Sequence, residues 1–242
     1  MRITEILSDV AAIKKWLDDH GVDKETYTIN NDGSISSAPG RFLYLQKRNI
    51  VGKLPFRIRE VSDGLSLSEN YQLTSLEGVP SHIKGDFDMA FCKKLTSFEH
   101  GPEKVDGGVN ATWSGLTSLK GCPKIINRHF DCDSCKITEI DDTPEHISED
   151  WNLANNQITS LKGIEKLTRC DGSIYLSGNP IRSSVLGLLK IQNLTNVYFS
   201  PSDPEPMIQA LNIIKKHLGK GRAGMIDAQQ ELMDNGLDEF AE

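Results

Sequence analysis

A register of 21 or 22 residues, running from Leu65 to Phe199, constrains this chain more than any other feature. Leu73, Leu95, Leu116, Ile137 and Ile158 follow one another at steps of 22, 21, 21 and 21 residues. Leu76, Phe98, Leu119, Ile140 and Leu161 repeat those steps three positions later. Pro80, Pro102, Pro123 and Pro144 keep the register, and so do the large apolar residues Phe87, Val109, Phe130 and Trp151. Four independent columns in one register do not arise from composition. A fixed period in the twenties predicts a solenoid, whose units bury their apolar faces only by stacking on one another.

Each unit has a six-residue frame that alternates apolar and polar residues, as in Trp151-Asn152-Leu153-Ala154-Asn155-Asn156. Alternation of this kind predicts a short strand with its first and third positions inward. The sixth position holds Asn70, Cys92, Ser114, Cys135, Asn156 and Asn179. Its expected task is to bond backbone groups where the chain bends out of the strand, since an unpaired buried group there is costly. Ser and Cys replace Asn only in part.

Around this core the chain divides into an N-terminal cap (residues 1–40), a solenoid of about six to seven units (41–199) and a C-terminal helical cap (200–242). Ile3 to His20 reads as an amphipathic helix with Gly21 as its left-handed stop. Asp32-Gly33 between short β-prone runs predicts a hairpin. Phe42 to Leu45 and Ile50 to Pro55 read as a degenerate first repeat. After Phe199, Pro201, Pro204 and Pro206 mark a stiff connector. Asp203 is the expected N-cap of a helix along Met207, Ile208, Leu211, Ile214 and Leu218, with a second helix over Met225–Met233. The expected fold class is therefore α/β: a parallel strand face with irregular return segments and helical caps at both ends.

The strand frame resembles the leucine-rich-repeat pattern L-x-L-x-x-N/C-x-L. Leu73-Thr74-Ser75-Leu76-Glu77-Gly78-Val79-Pro80 recurs as Leu116-Thr117-Ser118-Leu119-Lys120-Gly121-Cys122-Pro123. That L-T-S-L-x-G-x-P cassette resembles the repeat proteins encoded by tailed bacteriophages and some giant viruses. Those also carry an N-terminal helix, an Asp-Gly hairpin and an acidic helical tail. The resemblance implies a phage protein acting in the host cytoplasm on a host or defence protein. It also allows a structural component of a virion or other assembly.

The chain has 27 Lys and Arg against 34 Asp and Glu, a net charge of −7, which disfavours nucleic-acid and anionic-membrane partners. No run of 18 apolar residues predicts a membrane span. Charges between Glu5 and Asp19 interrupt what would be the apolar core of a signal peptide, and five cysteines is an odd number. An intracellular, reduced protein is expected. Cys132-x-x-Cys135 falls on an inward strand position and on the Asn position, which predicts structural thiols rather than a zinc or redox pair. His82 and His146 share a slot after the prolines and read as solvated loop residues. The Gly219-Lys-Gly-Arg-Ala-Gly224 outline lacks a preceding strand and reads as an inter-helix turn. Asp141-Asp142 and Asp131-x-Asp133 lack the facing partner and cleft of carboxylate chemistry. No catalytic set, metal site or cofactor is expected.

The strand face is then the working surface. Its outward positions (second, fourth and fifth of the frame) hold no Lys or Arg in the six units. Phe91 and Trp113 share the fifth position in adjacent units, so their rings are expected side by side as a protein-binding anchor. Glu69, Asp88, Asp131 and Asp133 lend acidity for a basic or mixed partner surface, with Asn110, Asn152 and Tyr175 completing the candidate face. The sequence leaves the oligomeric state open.

Overall fold

The structure is a computed structural model that describes residues 9–241. Helix α1 spans Val10–Asp19, and the Asp9 carboxylate accepts the Ala11 N–H at 2.8 Å as its N-cap. Ile3, Ile6 and Leu7 of the expected longer helix lie outside the described residues. Gly21 ends α1 with φ +62°, and Val22 N–H reaches Leu17 C=O at 2.9 Å while Gly21 N–H reaches Asp18 C=O at 3.1 Å. This paired 6→1 and 5→2 closure is a Schellman stop, and Val22 and Leu17 are both buried beneath it. Ile13, Trp16 and Leu17 face inward, and Trp16 meets Phe56 edge-on at 5.3 Å, closing the first end of the core. The hairpin forms as expected, Tyr27–Ile29 pairing antiparallel with Ile35–Ser37.

The repeats wind into a parallel-strand solenoid. Its front sheet has eight strands, from Leu43–Tyr44 through Gly64–Ser66, Asp86–Asp88, Val109–Asn110, Phe130–Asp131, Trp151–Asn152 and Ser173–Tyr175 to Asn196–Tyr198. Each unit returns to the height of one strand spacing, so its backbone groups pair with the next unit: Phe87 N–H to Gly108 O at 2.9 Å, Met89 N–H to Asn110 O at 2.8 Å. The first position (Leu65, Phe87, Val109, Phe130, Trp151, Ile174) and the third (Leu67, Met89, Ala111, Cys132, Leu153, Leu176) are fully buried. Phe98, Phe130 and Trp151 run together as an aromatic spine, with ring centroids 5.7 and 5.9 Å apart.

The return segments are more regular than expected. His82–Ile83, Lys104–Val105, Ile125–Ile126, His146–Ile147 and Arg169–Cys170 stack as a second, five-stranded parallel sheet. Ile83, Val105, Ile126, Ile147 and Cys170 are its inward members, all fully buried. Two residues of extended chain per unit are too few to show a period-2 pattern in sequence, and only stacking in register makes them a sheet. The corner joining the two sheets is tight. A Cβ on Gly85 would sit 1.6 Å from the Asp63 carbonyl oxygen, so a side chain there would force the units apart.

At the far end, α2 (Glu205–His217) and α3 (Gly221–Asp234) form the helical C-terminal cap, with Met207, Leu211, Ile214, Ala228 and Leu232 buried. Asp203 is not the cap of α2, which starts after Pro204 without a side-chain cap bond. Its carboxylate instead accepts Gly178 N–H at 2.9 Å and Ser200 N–H at 2.7 Å. Where the next unit would supply a carbonyl to Gly178, Asp203 supplies the acceptor and seals the ladder. The glycine-rich outline is also largely helix: α3 begins at Gly221, and at Gly224 a Cβ would lie 3.0 Å from the His217 carbonyl oxygen of α2.

Candidate functional site

The sixth-position side chains decide how the chain leaves each front strand. Asn156 donates from Nδ2 to the Cys132 and Leu153 carbonyls, both at 2.9 Å, while its Oδ1 accepts Ile137 N–H at 3.0 Å. Asn70 makes the same bonds to the Leu45 and Leu67 carbonyls, at 2.9 and 2.7 Å. Cys92 keeps one of these bonds, its thiol donating to the Leu67 carbonyl at 3.3 Å, and Cys135 donates to Ala111 at 3.2 Å. The cysteines are structural, as the frame predicts. Burial pushes the Cys92 thiol up to about 12 and holds Cys132 well above the ordinary thiol range. Buried thiols held protonated are poor nucleophiles and poor metal ligands.

One residue earlier, the backbone is left-handed in every unit: Glu69, Phe91, Trp113, Ser134, Asn155 and Gly178 have φ between +54° and +71°. All of these N–H groups but that of Gly178 bond the fourth-position carbonyl of the next unit, as Phe91 does to Thr112 at 2.9 Å and Trp113 to Asp133 at 3.0 Å. Asn and Gly suit this conformation, whereas a bulky L side chain there is strained by about 1–2 kcal/mol. Phe91 and Trp113 nevertheless occupy it, with 40% and 50% of their surface exposed.

Their rings do not stack on each other. Lys93 Nζ lies 5.4 Å from the Phe91 ring centroid and 5.2 Å from that of Trp113, so one ammonium serves both π faces. The expected cation-free ribbon is thereby corrected. The strand positions themselves hold no cation, but Lys93 reaches over them from the turn that follows Cys92. Beside Trp113 the turns of successive units form a shallow trough of about 780 Å³, walled by Lys93, Trp113, Ser134, Lys136, Asn155 and Gln157. Lys93, Lys136 and Gln157 each directly follow the sixth position, but Tyr71, Gly115 and Pro180 hold that slot in the other units, so spacing alone does not mark the trough.

The second-position residues face outward too, yet their polar atoms are engaged. Asp88 accepts Ala90 N–H at 3.1 Å, Asn110 accepts Thr112 N–H at 3.1 Å, Asp131 accepts Asp133 N–H at 2.9 Å, and Asn152 accepts Ala154 N–H at 3.0 Å. Each side chain thus closes a local turn that fixes the following left-handed residue. Burial, aided by the Asp133 charge, raises the Asp131 carboxyl above its usual range. Asp133 itself accepts from Asn155 Nδ2 at 2.8 Å and Ser134 Oγ at 2.9 Å. Glu69 pairs with Lys47 at 3.0 Å and takes the Tyr71 hydroxyl at 3.1 Å. Tyr175 stacks on Tyr198 at 4.7 Å, away from the aromatic ledge. The nine candidate residues therefore share one sheet but not one site.

The histidines His82 and His146 lie on the second sheet rather than in loops, facing Asp106 at 2.8 Å and Asp171 at 3.7 Å. Lys104 and Lys120 are likewise paired, with Asp106 and Glu99. Among the described residues, no group of three or more His, Cys, Asp and Glu side chains is placed to share a metal ion, and no helix is long and apolar enough to cross a membrane.

The class these features define is a parallel-strand repeat solenoid with a helical C-terminal cap. Beyond that class, no family model, curated protein or solved structure matches the chain.

Proposed function

We propose that this chain is a non-enzymatic, protein-binding repeat module that grips its partner through the front strand face. Phe91 and Trp113 carry the reading: two adjacent, half-exposed aromatic side chains held on left-handed backbone that the fold would fill more easily with Asn or Gly. Backbone strain of this sort persists where the surroundings enforce it, and exposed aromatic anchors dominate interface energetics. The acidic residues around them suit a partner with a basic or mixed surface. In this reading the units are leucine-rich repeats of the phage type, and the chain works in the host cytoplasm, blocking or redirecting a host or defence protein. Its repeat cassette supports that setting.

The test uses the full chain and a Trp113→Ala variant as paired baits in host extract. A host protein retained at equal stoichiometry by the first and lost from the second supports the proposal. Recovery of further copies of the chain alone, with self-association in solution, supports an assembly component instead. Retention by both baits overturns the role given to the aromatic ledge.

A further inference from the structure

We infer that the trough beside Trp113 receives an acidic peptide segment of the bound protein, with an apolar side chain covering the Trp113 ring and carboxylates meeting Lys93 and Lys136. This rests on the protein-binding reading and names the chemistry of the segment that enters the site.

The charge distribution carries the inference. The chain as a whole is acidic, at −7, yet the residues lining the trough include two lysines and no Asp or Glu. Elsewhere on the solenoid Lys47 meets Glu69, Lys104 meets Asp106 and Lys120 meets Glu99, at 2.7 to 3.0 Å. Among the described residues, Lys93 and Lys136 have no such carboxylate, and neither do Lys94, Lys124, Lys162, Lys166 and Lys190. What sets Lys93 and Lys136 apart is that both line one trough whose walls hold no acid. Lys93 is also positioned in advance, because the Phe91 and Trp113 rings hold its ammonium over the ledge. A cation held by two exposed rings loses less freedom on meeting an anion than a free lysine does.

The other walls fit a peptide better than a bare anion. Asn155 and Gln157 present amides suited to a peptide backbone, and the half-exposed indole offers an apolar platform. The carboxylate of Asp133, a fourth-position residue of the strand frame, is tied to Ser134 and Asn155. A nucleic-acid strand continuing from the trough onto the strand face would run its phosphates against Asp131 and Asp133. A peptide can place acidic residues over the trough and neutral or basic ones over the face.

The test is a selection of random displayed 12-residue peptides on the immobilised full chain, repeated on Trp113→Ala and on the double variant Lys93→Glu/Lys136→Glu. All three substituted side chains are exposed or at the surface, and matching thermal melts establish that the variants are folded; Lys93→Gln/Lys136→Gln serves if the double charge reversal melts early. The expected result is enrichment of Asp- and Glu-rich peptides bearing an aromatic or aliphatic residue. Their affinity should fall about tenfold or more on the double variant and decline as salt rises. Enrichment of Lys- and Arg-rich peptides that depends on Trp113 would overturn this inference and leave the protein-binding reading standing. Enrichment indifferent to Trp113, or none above the bare support, would overturn both. Tighter binding of a labelled 12-nucleotide oligo(dT) than of the selected peptides would reassign the trough to nucleic acid.

Discussion

Two outward-facing columns of the same sheet behave in opposite ways. Along the second position, Asp88, Asn110, Asp131 and Asn152 each turn an oxygen back onto the N–H two residues ahead. Along the fifth, Phe91 and Trp113 return nothing to the backbone and sit in a conformation that disfavours them. Outward orientation in a solenoid therefore does not mark a residue as functional. The discriminating feature is whether its atoms are needed to close the turn. By that measure the first column holds the fold, and the second is free to hold a partner.

The comparison breaks or sharpens through graded substitutions. The largest effect belongs to the buried position between units. Asn156→Ala strands the Cys132 carbonyl and the Ile137 N–H and leaves the Leu153 carbonyl to Asn179 alone, so chemical denaturation should show a loss of about 3 kcal/mol or more. Cys92→Ala, which removes a single thiol bond, should lose much less. Next, Trp113→Ala should weaken partner binding by about 30-fold or more, read by calorimetry, without lowering the melting temperature. Asn110→Ala should do the reverse, lowering stability by about 1–2 kcal/mol because the Thr112 N–H loses its acceptor, with a small effect on affinity.

The smallest effect is the most diagnostic of environment. Asp131→Asn keeps the acceptor for Asp133 N–H and copies Asn110 and Asn152, its neighbours in the column. Because the folded-state pKa of Asp131 is raised, the native carboxyl favours folding below the unfolded value near 3.9 and loses that favour as pH rises through the folded pKa. The Asn variant should melt about 1–2 °C higher than wild type at pH 7, with the gap closing at and below roughly pH 4. A gap that widens on acidification would contradict the burial argument.

Much of this architecture was legible in the chain because its signals repeat. Leu73, Leu95, Leu116, Ile137 and Ile158 announced the period, and Asn70, Asn156 and Asn179 announced the bend. The second sheet was not legible, since the two extended residues at Ile125–Ile126 or His146–Ile147 gain meaning only from the units above and below. Asp203 misled for a related reason. Its neighbourhood has helix-start chemistry, but the open end of the ladder at Gly178 competes for the same carboxylate and wins. At the site, the aromatic pair could be read from register, whereas the bridging Lys93 could not. A side chain from one turn reaching two rings in two units is a matter of three-dimensional reach, not of spacing. Asn155 and Gly178 did carry a hint of the left-handed column, as the residue types that conformation prefers.

The central claim, that Phe91 and Trp113 are kept for a partner against the preference of the backbone, is tested most directly by the thermal midpoint of the double variant Phe91→Asn/Trp113→Asn. Relief of two strained positions, less the loss of about 0.5–1 kcal/mol for each contact to Lys93, predicts a midpoint about 2–5 °C above wild type. A midpoint lowered by a similar amount would show that the two rings hold the solenoid together.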